Sequence, residues 1–219
     1  MKIYEVKSLA GGVGATTLTI MFGYKKALVG NQVMLIDRSP RGDLMRLANA
    51  SLVNPNTPYP VPHIRFASGT LYVMWSPHGS DIHIPEGFHT VVVDVGTRRN
   101  KKRRRYWIDT PNEIESTRHP RNHTIMVVDN SYLSYHAMVR MGPRRPANIV
   151  LRQFGYRVLR AVDYPFYSEF GNALVVNDNH DISRHTDAGN LLESSRMTAL
   201  LASDGIGSWF SDIGWGQEW

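Results

Sequence analysis

A glycine-rich stretch near the N-terminus carries the residues best suited to chemistry. Residues 10–17 read Ala-Gly-Gly-Val-Gly-Ala-Thr-Thr, with an apolar run before them at 3–9 and a helical pattern after them. Glycines allow a turn whose backbone N–H groups close around an anion, and the N-terminus of the following helix adds partial positive charge. The order strand, glycine-rich turn and helix therefore predicts a phosphate-binding loop.

The side chain that usually completes such a loop is missing. A phosphate loop normally ends in Gly-Lys-Ser or Gly-Lys-Thr, and its lysine reaches the β- and γ-phosphates. The corresponding position here is Ala15. The sequence therefore predicts a loop that keeps its main-chain donors and lacks its principal cation. It also leaves open a structural glycine turn that binds nothing.

Two aspartates follow apolar segments further along the chain. Residues 33–37 form an apolar run that ends in Asp37, and a β-branched run at 89–97 contains Asp94. In open parallel sheets, ligands bind beyond the carboxyl ends of the strands. We therefore expect both carboxylates and the glycine-rich loop to lie at one edge of a sheet.

The elements that must position these residues indicate an α/β fold. About six apolar strand patterns alternate with helical segments, which predicts a doubly wound, mostly parallel sheet with helices on both faces. The predicted strands are 3–9, 33–37, 89–97, 124–129 and 148–151, with one or two short strands in 64–75. The predicted helices are 16–29, capped by Thr16 or Thr17, a short helix after the 38–44 loop, and 131–141. Residues 49–62 are expected to form a loop, and 110–113 a helix start or a loop.

The glycine-rich stretch resembles a known family motif. Residues 10–17 are similar to the deviant phosphate loop of the ParA/MinD superfamily, Lys-Gly-Gly-x-Gly-Lys-Thr-Thr, with Ala10 and Ala15 in place of both lysines. The Gly-Gly-Val-Gly-Ala-Thr-Thr form is also similar to the CpaE/TadZ branch. Asp37 and Asp94 match the family's first aspartate and its Walker B acid, whereas Ser39 stands where the water-orienting aspartate belongs. The resemblance covers roughly residues 1–200 and is weak between 45 and 85. It also implies a strand at 158–162 and closing helices in 179–201.

This resemblance implies a P-loop NTPase-like fold that binds ATP or ADP with Mg²⁺. Thr16 would hold Mg²⁺, with Asp37 and Asp94 as outer-shell carboxylates, and Thr17 would contact the α-phosphate. Backbone N–H groups would come from Gly11, Gly12, Val13, Gly14 and Ala15. Because phosphoryl transfer depends on placed charge, loss of two lysines and one carboxylate predicts deficient ATP hydrolysis.

A dense basic run follows Asp94. It holds seven of the chain's 25 basic residues, and the remaining 18 are balanced by 19 acidic ones. Such a cluster predicts an exposed loop that contacts DNA phosphates, with Tyr106 and Trp107 as stacking groups. A solvated insertion and an anionic lipid surface are the alternatives. The candidate contact residues are Arg98, Arg99, Lys101, Lys102, Arg103, Arg104 and Arg105.

Taken together, these features predict a degenerate ParA/MinD-like positioning or partition protein that is cytoplasmic, homodimeric and bound to DNA through its basic loop. One alternative is an active ATPase that uses a replacement cation. The other is a CpaE/TadZ-like localisation adaptor that recruits a protein partner and binds no nucleic acid.

Composition narrows the remaining function classes. The chain has no cysteine, which excludes disulfides and thiolate chemistry, and no apolar run approaches the ~20 residues of a membrane span. Among its nine histidines, His119 and His123 have the i, i+4 spacing of a helical metal site, but Pro120 lies between them and no His-Glu-x-x-His motif is present. The 219 residues are expected to form one domain, 1–205, followed by an aromatic tail, 206–219, that docks onto the domain or a partner subunit.

Overall fold

A computed structural model describes residues 1–50, 60–77, 82–97, 107–109, 114–116, 124–129, 132–142, 148–153 and 172–177, together with residues 184–185, 191, 199 and 201. The strands in these ranges are β1 (Lys2–Ser8), β2 (Gln32–Asp37), β3 (Val61–Arg65), β4 (Thr70–Trp75), β5 (Ile82–His83), β6 (Thr90–Thr97), β7 (Trp107–Asp109), β8 (Ile114–Ser116), β9 (Thr124–Asp129), β10 (Asn148–Gln153) and β11 (Asn172–Asn177). The helices are α1 (Ala15–Leu28), α2 (Asp43–Leu47) and α3 (Tyr132–Met141).

The main sheet has eight strands in the order β11-β10-β9-β1-β6-β2-β4-β3. Seven of them run parallel, and β3 pairs antiparallel with β4 at one edge. β1 lies near the centre, and the chain winds outward from it in both directions. This arrangement confirms the predicted doubly wound, mostly parallel sheet.

Helices pack on both faces of this sheet, because successive side chains of each strand point to opposite faces. On one face Tyr4 and Val6 of β1 join the core cluster that contains Phe22 of α1. The Tyr4 and Phe22 rings meet edge to face, with centroids 4.9 Å apart. On the other face Met126 of β9 clusters with Met138 of α3. The core is therefore split into two layers by the sheet.

Gly69 lies just before β4, where the backbone comes close to the last residues of α1 and to the residues that follow that helix. A Cβ placed on Gly69 would lie 2.2 Å from the carbonyl oxygen of Ala27 and 2.6 Å from that of Asn31. Thr70 N–H also donates to the Asn31 carbonyl at 3.2 Å. Any side chain at position 69 would separate these segments.

Several sequence predictions needed correction. The observed strands β1, β2, β6, β9 and β10 match their predicted bounds within two residues. β3 begins at Val61, inside the region expected to be a loop, and β11 was not predicted at all. The helix start or loop predicted at 110–113 lies outside the described residues. The strands before and after it, β7 and β8, pair antiparallel, Trp107 with Ser116.

Other predictions fall on residues outside the described part of the chain. They include the basic run at 98–105, the strand at 158–162 and the aromatic tail at 206–219. The closing helices at 179–201 are described at residues 184–185, 191, 199 and 201 alone. Within the described ranges, none of the helices combines the length and the apolar character needed to cross a bilayer.

Candidate functional site

The glycine-rich segment joins the end of β1 to the start of α1, as predicted. Gly12 (φ 77°) and Gly14 (φ 86°) both have left-handed backbones, a conformation that glycine adopts without a steric penalty. Between them, Val13 turns its side chain into the core and is 2% exposed. The buried valine fixes the loop, while the flanking glycines give it the curvature of an anion cradle.

Helix α1 starts with its first N–H groups available to a ligand. Its N-cap residue is Gly14, which makes no side-chain capping bond, so the predicted cap at Thr16 or Thr17 is wrong. Thr19, one turn into the helix, donates its hydroxyl to the Ala15 carbonyl at 3.0 Å. The N-terminus of this 14-residue helix therefore presents its positive end at the loop.

The residues present fit a phosphate group held by main-chain donors. Gly11 and Gly12 are exposed, and a Cβ built on Gly12 would meet nothing within 4 Å, so the concave side of the loop is open. Thr16 and Thr17 are half-buried, whereas the Ala15 methyl group belongs to the core cluster. The loop thus offers N–H and hydroxyl groups and no cation of its own.

Asp37 and Asp94 are brought side by side at the carboxyl edge of the sheet. They are register partners on β2 and β6, and Asp94 is in turn the register partner of Val6 on β1. Both aspartates share the face that α1 covers, since they continue the alternation of Leu35 and Val92. Each is 0% exposed. Two buried carboxyl groups therefore lie next to each other on one side of the strand end that leads into the loop.

The carboxyl group of Asp37 anchors the segment that follows it. Its Oδ1 accepts a hydrogen bond from Ser39 N–H at 2.7 Å, and its Oδ2 accepts bonds from Leu44 N–H at 2.8 Å and Met45 N–H at 3.3 Å. Burial raises the pKa of Asp37, and the hydrogen bonds from Ser39, Met45 and Leu44 oppose that rise. Any metal-bound water would have to share these oxygens with the backbone donors.

Ser39, at the position of the family's water-orienting aspartate, has a structural role. Its Oγ accepts the Asp43 N–H at 2.7 Å in the first turn of α2, and its carbonyl accepts the indole N–H of Trp75 at 2.9 Å. The side chain is buried. Sequence reasoning missed Trp75, although its place at the end of an apolar strand put it in register with Asp37.

The segment after Asp37 also contacts β6. Arg38 N–H donates to the Asp94 carbonyl at 3.0 Å, and the Arg38 guanidinium donates from Nη1 to the Ser76 hydroxyl at 2.9 Å. The Oδ2 atom of Asp94 is buried and accepts no hydrogen bond from the described residues, although the residue interacts elsewhere. The strand ends β2, β4 and β6 are thus joined through one arginine.

An ion pair that the sequence analysis did not predict lies on the opposite face of β1. Lys7 forms an ion pair with Glu5, two residues earlier and therefore on the same face of the strand. The Glu5 side chain is 3% exposed and that of Lys7 31%. Lys7 therefore contributes to the charge compensation of the buried Glu5.

Metal-binding potential is limited in the described ranges. They contain no group of three or more histidine, cysteine, aspartate and glutamate side chains arranged to hold a metal ion. Asp37 and Asp94 supply two carboxyl groups, which suits a metal ion bound mainly by water and phosphate oxygens. The predicted nucleic-acid contacts at 98–105 lie outside the described residues.

The sequence matches no protein-family model and no curated protein. Solved structures do match. MinD from Aquifex aeolicus, in a MinC:MinD complex, has a TM-score of 0.64 at 14% identity, with 100% of this chain and 98% of that chain covered. A putative plasmid partition protein from Borrelia burgdorferi bound to AMPPNP has a TM-score of 0.62 at 11% identity, with 99% of each chain covered. The Mg-ADP complex of MinD from Pyrococcus horikoshii has a TM-score of 0.59 at 10% identity, with coverages of 99% and 96%.

These similarities extend over nearly the whole of each chain, at identities too low to transfer function. They show that the chain has the fold shared by MinD and ParA-type proteins. The resemblance seen in the glycine-rich loop is therefore confirmed at the level of the fold.

Proposed function

We propose that this chain is a ParA/MinD-like positioning protein that binds ATP or ADP on residues 11–17 and hydrolyses ATP poorly. The observation that carries the proposal is the loop itself. Left-handed Gly12 and Gly14 flank a buried Val13 at the carboxyl edge of the sheet, beside the in-register pair Asp37 and Asp94. Proteins of the same fold have been solved with ADP, Mg-ADP and AMPPNP.

In this proposal the chain grips phosphate mainly through its backbone. The N–H groups of the loop and the positive end of α1 neutralise phosphate oxygens. Mg²⁺, when bound with the nucleotide, supplies further positive charge, with the Thr16 hydroxyl as its protein ligand. Asp37 and Asp94 would hold the water molecules of this metal, and Asp37 would do so while accepting backbone hydrogen bonds at both of its oxygens.

Hydrolysis in this family depends on charged side chains that are missing from their usual positions in this chain. Ala10 and Ala15 stand at the family's two lysine positions, and Ser39 is engaged with Asp43 N–H and Trp75. Loss of one placed donor in an enzyme lowers kcat by ~10²–10³. Combined losses of this kind place phosphate release near background, while binding is reduced far less.

A pair of substitutions at Gly12 tests nucleotide binding. Aspartate and asparagine both tolerate the left-handed backbone, and a Cβ at this position meets nothing within 4 Å, so both variants should fold. Gly12→Asp places a negative charge in the cradle, and Gly12→Asn adds a neutral side chain of the same shape. We expect isothermal calorimetry with Mg-ATP and Mg-ADP to show binding to wild type, weaker binding to Gly12→Asn and at least tenfold weaker binding still to Gly12→Asp.

Two results would contradict this proposal. Absence of any nucleotide binding to the wild-type chain would favour a purely structural glycine turn. Phosphate release well above background, abolished by Asp37→Ala, would instead favour the active ATPase with a replacement cation.

The second part of the proposal is that the basic run at 98–105 binds DNA. Its support is charge alone: seven cations in eight residues on a chain that is otherwise nearly neutral. Each phosphate contact made by a cation contributes about −0.9 to the slope of log K against log salt. Replacing three contacting arginines should therefore reduce that slope by ~2.7.

Gel shifts at several salt concentrations test this assignment. The test variant changes Arg103, Arg104 and Arg105 to alanine. A matched control changes three exposed arginines elsewhere, Arg46, Arg65 and Arg140, to alanine and so lowers the net charge by the same amount. We expect the test variant to lose affinity and salt dependence, with a much smaller effect in the control. Equal shifts from both variants would refute the role of the loop.

An adaptor function without DNA is the second candidate. It is favoured by the neighbour that was solved as a complex of MinD with MinC. If the wild-type chain causes no salt-dependent gel shift of DNA, the adaptor function is favoured. Both candidate functions, with and without DNA binding, include a homodimer. Light scattering with and without Mg-ATP tests whether it forms.

A further inference from the structure

The segment that connects β2 to α2, residues 38–42, is held in place by bonds to three neighbouring elements. Asp37 and Trp75 hold Ser39 through its N–H and its carbonyl, and Arg38 is bonded to Ser76. A Cβ on Gly42 would lie 3.3 Å from the Trp75 ring, so that the segment lies directly against the indole. These contacts fix the path of the backbone on both sides of Pro40 and Arg41.

The side chain of Arg41 takes no part in the hydrogen bonds that hold this segment to the described residues around it. Its side chain is exposed, and its guanidinium has no bonding partner among the residues that the structure describes. The carbonyl oxygen of Arg41, by contrast, accepts a hydrogen bond from Arg46 Nη2 at 3.1 Å. A loop held by hydrogen bonds thus exposes the Arg41 guanidinium to solvent.

The position of Arg41 places that cation on the same edge as the phosphate loop. Both loops follow the carboxyl ends of parallel strands, and β6 alone separates β1 from β2 in the sheet. Neighbouring strands are ~4.8 Å apart, so the two strand ends are separated by about 10 Å. A long arginine side chain can cover much of that distance toward a phosphate group bound at the end of β1.

We propose that Arg41 is the phosphate-binding cation that replaces the lysine missing at position 15. Among the described cations at this edge, Arg38 donates to Ser76, and Lys7 is paired with Glu5 on the opposite face. Guanidinium binds phosphate oxygens through two parallel N–H bonds, and such charge-assisted pairs are stronger than neutral ones. A backbone fixed before binding also loses less entropy when the pair forms.

The inference rests on the proposed nucleotide function, and its test separates the two. Calorimetry is carried out with Mg-ATP, Mg-ADP and inorganic tripolyphosphate on wild type, Arg41→Ala and Arg65→Ala. Arg65 is an exposed arginine of β3 paired with Thr70, at the opposite edge of the sheet. The control therefore removes the same charge from a place that phosphate does not reach.

We expect Arg41→Ala to weaken all three ligands by about 10- to 100-fold, the range of one charge-assisted hydrogen-bond pair. Arg65→Ala should change each affinity less than about twofold. The difference in affinity between wild type and Arg41→Ala should shrink as the salt concentration is raised. Salt screens the attraction between Arg41 and phosphate, whereas it would not change the effect of a damaged loop. Arg41→Lys should recover part of the affinity, since it restores charge without the planar fork.

Three results would overturn the inference. Equal affinities of Arg41→Ala and Arg65→Ala, with wild-type binding intact, would remove Arg41 from the site and leave the nucleotide function standing. A loss in Arg41→Ala that is independent of salt and comes with a lower melting temperature would make the residue structural. Absence of binding by wild type itself would remove the proposed function and this inference together.

Discussion

The buried carboxyl group of Asp37 gives the sharpest test of how this edge of the sheet is held. Asp37→Ala removes the acceptor of two short backbone hydrogen bonds, from Ser39 N–H at 2.7 Å and Leu44 N–H at 2.8 Å. A buried donor left without an acceptor costs ~1–3 kcal/mol. Two such donors, with some access of water to the relaxed loop, predict a loss of about 2–4 kcal/mol in the free energy of unfolding.

Urea unfolding followed by circular dichroism measures this loss. The matched control is Asp43→Ala, which removes an exposed carboxylate of the same segment while leaving its N–H bond to Ser39 intact. The control should lose less than ~1 kcal/mol, the range of a carboxylate near a helix N-terminus. Similar losses in both variants would mean that Asp37 does not hold the segment.

The pH dependence of the same measurement has a definite sign. Burial raises the pKa of Asp37 above its ordinary value of 3.8, so that the native carboxyl group retains a proton that the unfolded chain releases. The stability contributed by that proton is fully present below pH 3.8 and is lost as pH rises through the raised native pKa. The difference in unfolding free energy between wild type and Asp37→Ala should therefore narrow with rising pH. A difference that widens over this window would refute the reasoning.

Two further predictions concern packing and charge away from the loop. Gly69→Ala should destabilise the protein by ~1–3 kcal/mol, because its Cβ would lie 2.2 Å from the Ala27 carbonyl oxygen; thermal unfolding, with exposed Ser68→Ala as the control, checks this, and an unchanged melting temperature would contradict it. Lys7→Met should destabilise by less than the ~3–5 kcal/mol of a fully buried pair, since Lys7 is 31% exposed. Adding Glu5→Gln to Lys7→Met should recover stability in urea unfolding, and a further loss in the double variant would argue against the pair.

The main features of the fold could be predicted because they depend on local sequence. Glycines at 12 and 14 allow the left-handed turns, and the apolar runs before the loop, Asp37 and Asp94 form central strands. Since parallel strands place their carboxyl ends together, the meeting of the loop with both aspartates followed from strand order alone. The sequence could therefore predict that these residues lie together before the contacts among them were known.

The features that were missed depend on contacts between distant segments or on weaker local signals. β11 contains a run of four apolar residues between two asparagines, a signal that could have been used, whereas β7 and β8 are three residues each and give little periodicity. The bonds from Ser39 to Trp75 and from Arg38 to Ser76 join the ends of β2 and β4. No spacing rule connects residues 36 or 38 positions apart, so these roles required the register of the sheet.

The substitutions at the site form a coupled set. Relative to the family motif, positions 10 and 15 have each lost a cation, and position 39 has lost an anion, so that the local charge changes by less than the number of substitutions suggests. Ser39 is also occupied, because its hydroxyl accepts the Asp43 N–H and its carbonyl accepts the Trp75 indole N–H. A lysine restored at position 15 alone would add charge to bind phosphate but would leave no carboxylate to orient water. The loss of hydrolysis that we propose therefore lies in the way the segment after β2 is built as much as in the absent lysines.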